Sequence, residues 1–145
     1  MFVRTMLAVS VMAIGMTAAV AQQDVVAQRK AAMKTLGAQA GQGAKFIKGE
    51  EPFDLAKAQA IFATYAQTAE KAPALFPPDS KGGDTAALPA VWEKHEDFKA
   101  KFAKFASDAK DAQSKVKDEA SFKATFPVVM RNCGGCHETY RAKKS

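Results

Sequence analysis

Along most of this chain apolar residues recur at alternating steps of three and four, the spacing of helices that bury one face. Four such stripes follow one another. The first joins Val26, Arg29, Met33, Leu36 and Ala40, with Asp24 placed as its N-cap and Gly41 and Gly43 loosening its far end. The second runs through Leu55, Ala58, Phe62, Tyr65 and Ala69, opens after Asp54 and is ended by Pro73. In the third, Val91, His95, Phe98, Phe102, Phe105, Ala109, Ala112 and Val116 keep a strict four-three rhythm. That is the roughly 3.5-residue repeat of a left-handed supercoiled bundle, and Pro89 suits its first turn. The fourth carries Phe122, Phe126, Val129, Cys133, Cys136 and Tyr140. Pro127 lies inside it and predicts either a kink or a short turn ahead of the last helix.

Between the second and third stripes, Pro73 to Leu88 contains Pro77-Pro78 and Gly82-Gly83, which continue neither helix and read as a long crossover. The connections around Gly49-Pro52 and Lys117-Asp118 are shorter and suit antiparallel neighbours. No strand pattern or internal repeat interrupts the series. The expected fold is all-α, an antiparallel (up-down) four-helix bundle. Cys133 and Cys136 fall on the core-facing stripe, so any group they hold enters the bundle interior.

The N-terminus changes the picture of where this bundle resides. Met1 to Ala21 reads as a secretory signal, with Arg4 ahead of an apolar run from Met6 to Val20 and Ala19-Val20-Ala21 as the cleavage site. The run is shorter than the ~20 apolar residues of a spanning helix, and no other segment is long enough. Cleavage leaves residues 22–145, the size of one domain, and lowers the formal charge from +6 to +5 through loss of Arg4. The lysines are scattered rather than clustered with aromatics, which argues against nucleic acid. Such a lysine surface would instead steer an acidic partner into place.

The candidate chemistry is concentrated in Cys133-Gly134-Gly135-Cys136-His137, the C-x-x-C-H pattern of covalent haem attachment. Thiols at i and i+3 share a helix face and can each add to one vinyl group, while the imidazole at i+4 reaches the iron as proximal ligand. A thioredoxin-like pair belongs at a βα junction, which this chain lacks. A zinc site needs four ligands, and the only other histidine is His95. One haem c is the expected cofactor. Export fits this chemistry, and the two cysteines are then consumed by haem rather than by a disulfide.

Taken together, the four stripes and a haem motif close to the C-terminus resemble the class II cytochromes c, the family of cytochrome c prime and its low-spin relative cytochrome c-556. The resemblance covers residues 22–145. It rests further on Arg29-x-x-x-Met33, the Lys48-Gly49-Glu50-Glu51-Pro52-Phe53-Asp54 connection, Gly82-Gly83-Asp84 followed by Trp92, and Tyr140-Arg141. It implies a periplasmic monohaem bundle, often a homodimer through its first two helices.

The iron's sixth position separates an electron carrier from a gas-binding haem protein. After leader removal only Met33 and Met130 offer a thioether, and Met130 shares its helix with His137. The family places its distal residue at Met33, where low-spin members ligate through sulfur and high-spin members only cover the iron. The expectation is a one-electron carrier with His137 and Met33 as axial ligands. The alternative is a five-coordinate haem that binds nitric oxide or carbon monoxide. Arg29, on an otherwise apolar stripe, is assigned to a haem propionate. Arg141 reads either as the family's basic residue beside the proximal pocket or as a helix C-terminal cation. His95 reads as a polar residue near a bundle end, with a second iron ligand as the alternative. Catalysis is not implied.

Overall fold

A computed structural model describes residues 13–143, with side chains from residue 24 onward. The expected leader, residues 1–21, lies outside the residues whose side chains are described. Five helices follow: α1 (Ala13–Lys48), α2 (Leu55–Lys71), α3 (Ala90–Glu93), α4 (His95–Lys115) and α5 (Glu119–Tyr140), with a single 3-10 turn, Ala72–Leu75, after α2. The four long helices form the antiparallel bundle: α1 packs on α2, α2 on α4, α4 on α5, and α5 closes back on α1. Among the described residues no helix is long and apolar enough to cross a membrane.

Local chemistry sets the ends of these helices. Asp54 accepts from the backbone N–H of Lys57 at 2.9 Å and caps α2. Asp118 and Ser121 form a reciprocal capping box at the start of α5. Gly49, at φ 73°, supplies the left-handed residue that turns the chain out of α1. Pro127 is not preceded by a turn, since α5 runs through it without interruption. It sits on the exposed side of a continuous helix, where water can satisfy the carbonyl it orphans.

Three expectations are corrected. Asp24 lies within α1 and accepts from Gln28 at 3.0 Å instead of capping a helix. Leu55, the first residue of α2, is more than one-third exposed instead of buried with its stripe. The third stripe is not one helix: Lys94, at φ −115° and ψ 44°, separates α3 from α4. A short break of this kind keeps the apolar residues on both sides in the core, so periodicity alone does not reveal it.

The core is mostly aromatic. At one end Phe46, Phe53, Phe62, Phe122 and Phe126 pack with ring centroids 5.0–6.3 Å apart. At the other, Phe98 contacts Phe76, Phe102 and Tyr140 at 4.8–5.2 Å. Burying each such ring contributes roughly 2–3 kcal/mol, the main term holding the four helices together.

Candidate functional site

The register between α1 and α5 is fixed where they touch. Gly43 of α1 lies directly against the ring of Phe126 on α5. The helices are antiparallel, so ten residues back along α1 and ten forward along α5, ~15 Å in each case, bring Met33 level with Cys136. Four residues further, Arg29 is level with Tyr140.

Between these levels the helix seam changes character. Near the Gly43 contact, Phe46, Phe122 and Phe126 are buried. At the Met33 level, Met33 and Leu36 on α1 and Met130, Cys133, Cys136 and His137 on α5 are only half-buried. Cys133 and Cys136 are free thiols, and burial pushes both above the usual thiol range. Burial also makes His137 harder to protonate, and the positive charge of Arg141 adds to this. Both effects favour the neutral form in which an imidazole ligates a metal. Two thiols on one helix face, a neutral imidazole and a thioether across the seam fit a flat macrocycle with iron at its centre. Gly134 and Gly135 between the cysteines are exposed and face open space.

Arg29 is buried and each of its nitrogens has a protein acceptor. Nε donates to the carbonyl of Leu75, one terminal nitrogen to the Ser80 carbonyl at 3.0 Å, and the other to the Ser80 hydroxyl. The guanidinium also stacks over Phe76 at 4.3 Å and Trp92 at 5.5 Å. No carboxylate pairs with it among the described residues. Arg141 is exposed and ends α5, its N–H returning to the His137 carbonyl at 3.2 Å. His95 stands at the start of α4, its ring stacked on Phe98.

Sequence reasoning missed Asn132 and Ser80, which shape this region, and read Tyr65 only as a stripe residue. Tyr65 is fully buried and donates to the sulfur of Met130 at 3.4 Å; desolvation, then the neighbouring Cys133, pushes its phenol far up. Asn132 bridges α5 to Asp108 of α4 at 2.8 Å. Ser80 is buried as an acceptor for Arg29. A serine in a polar loop gives no sequence signal of burial, whereas Tyr65 was already legible as a stripe residue.

A helical bundle whose last helix carries two half-buried thiols and an imidazole at C-x-x-C-H spacing defines a c-type haem protein. A family model described as Cytochrome C' matches residues 24–141, and the chain belongs to the cytochrome c prime family. It is 52% identical over 128 residues to cytochrome c' of Rhodopseudomonas palustris, covering 88% of each chain. It is 40% identical over 120 residues to cytochrome c-556 of Agrobacterium tumefaciens, covering 82% of this chain and 98% of the relative. The solved structure of cytochrome c' from Rhodopseudomonas palustris superimposes with a TM-score of 0.81 at 51% identity, over 84% of this chain and 98% of that one. Its cofactor, as for the family, is a covalently attached haem c.

Proposed function

We propose that this protein is a periplasmic one-electron carrier in which Cys133 and Cys136 would hold the haem through thioethers and His137 and Met33 would bind its iron. The observation that carries this reading is the register: Met33 is half-buried on α1 at the level of Cys136 and packs against the core. The haem supplies reversible one-electron chemistry. The chain supplies the surroundings that keep rearrangement small: a neutral imidazole fixed in the last turn of α5, a soft sulfur donor on a separate rigid helix, and an aromatic core that excludes water.

Arg29 keeps two N–H groups beyond its three loop bonds, and a propionate is the anion that would satisfy a buried guanidinium without an acidic partner. The scattered lysines, with a formal charge of +6 over the whole chain, support docking to an acidic redox partner. A homodimer through the first two helices, as the family resemblance implies, belongs to this reading. Residues 1–21 are the cleaved leader in this reading, and residues 22–145 the haem domain.

The second reading is a five-coordinate iron that captures nitric oxide or carbon monoxide, with Met33 only covering it. The similarity to a relative named cytochrome c' favours it. Optical spectra of the ferric and ferrous protein separate the two. Sulfur ligation gives a low-spin iron in both states and a weak near-infrared charge-transfer band, which Met33→Ala abolishes. A high-spin unmutated protein that takes up carbon monoxide without displacing a ligand supports the second reading.

A further inference from the structure

We infer that the crossover between α2 and α3 is a strap that sets the width of the slot between α1 and α5. The inference rests on the haem-slot reading above, but not on Met33 being a ligand. The two helices touch at Gly43 and Phe126, while toward the opposite end of the bundle Met33 on α1 and Cys133, Cys136 and His137 on α5 are only half-buried. At that end, one turn beyond the Met33 level, the crossover is bonded to both.

Its grip on α1 is through side chains. Arg29 takes the Leu75 carbonyl and both acceptors of Ser80. Lys30 pairs with Asp84, and Gly83 at φ 89° lets the loop tip settle on Val26. The loop is stiffened from within, as the Ser80 hydroxyl donates to the Pro77 carbonyl at 2.7 Å and Trp92 Nε1 donates to the same oxygen at 2.9 Å. Its grip on α5 is through backbone. Leu88 N–H donates to the Tyr140 carbonyl at 3.0 Å, and Ala142 N–H to the Ala86 carbonyl at 2.8 Å, around a bridge between Ala87 and Arg141. The buried Tyr140 ring packs on Phe98 and its hydroxyl donates to Asp97, so this anchor is itself fixed to α4.

Arg29 and Tyr140 are thus level anchors on facing helices, one turn from Met33 and one turn from His137. A loop tied to both limits how far the slot opens, and Arg29 and Ser80 act as positioning residues for it. Each anchor bond removed should raise the population of the opened slot about fivefold, the factor that corresponds to one hydrogen bond.

The test uses haem-loaded protein in a Met33→Ala background, which makes the outcome independent of whether that sulfur ligates iron. Spin labels on Lys34→Cys and Arg131→Cys, both exposed positions, report the α1–α5 separation in the ferrous carbon monoxide form. Arg29→Lys and Ser80→Ala loosen one anchor; Ala142→Pro removes one donor from the other and suits the extended Arg141 before it. Each should broaden the label distances and quicken carbon monoxide binding about fivefold. Unchanged label distances in all three variants overturn the strap, whatever happens to the melting temperature. A high-spin spectrum of the unmutated protein would overturn Met33 ligation alone.

Discussion

Gly43 has no room for a side chain because Phe126 occupies it: a Cβ built at Gly43 would lie 2.2 Å from Cε2 and 2.3 Å from Cζ of that ring. This close approach lets α5 lie against α1 at one end, and it sets the register that brings Met33 level with Cys136.

Gly43→Ala should therefore destabilise the protein by roughly 1–3 kcal/mol, the usual cost of forcing extra volume into a packed seam. Gly41 is exposed on the same helix with open space beyond it, so Gly41→Ala should stabilise by ~0.5–1 kcal/mol. Denaturant unfolding of both variants checks the contrast. Equal effects would mean that helix propensity, not the Phe126 contact, governs position 43.

Haem should stay with the polypeptide through acid–acetone extraction and denaturing electrophoresis. Cys133→Ala or Cys136→Ala should leave a single thioether, and the double variant should release haem on extraction. His137→Ala should keep haem attached while abolishing the native reduced spectrum. An unchanged spectrum would assign the proximal bond to another residue.

Both tyrosines of the chain should resist ionisation. Burial and the bond to Asp97 push Tyr140 up to about 12, and Tyr65 is pushed higher still. Between the ordinary phenol value near ~10 and these raised values, the folded state binds more protons than the unfolded one. Stability should thus be unaffected below pH ~10 and fall as pH rises beyond it. Ultraviolet titration of the folded protein should show no phenolate step at the ordinary position; a normal step would place one ring in water.

At acid pH the sign reverses. Lys104 and then Asn132 hold Asp108 below the usual carboxylate range. Its contribution is present above the unfolded value of ~3.9 and is lost as pH falls through the lower folded value. Asp108→Asn should remove this dependence and cost ~0.5 kcal/mol at neutral pH, since the lysine pair is solvent-screened. Parallel acid unfolding curves for the variant and the parent would contradict it.

The stripes themselves foretold which faces are buried: Phe98, Phe102, Phe105, Ala109, Ala112 and Val116 are all in the core. The attachment pentapeptide was equally legible, because bonding chemistry within one helical turn depends only on local spacing. What periodicity leaves undetermined is the level at which one helix faces another. Gly43 read as a flexible position, and only its contact with Phe126 turns it into a register mark. Arg29 was legible as an odd cation on an apolar stripe, but its acceptors are loop carbonyls and a serine some fifty residues away. Such acceptors exist at every residue and carry no sequence signature.

The sequence alone thus determined the helices, their buried faces and the haem motif, since each follows from spacings within a few residues. The tertiary structure decided the α1–α5 register, the break at Lys94 and the crossover's bonds to α1 and α5. Those depend on steric fit and on backbone hydrogen bonds between segments distant in the chain, which residue spacing does not encode.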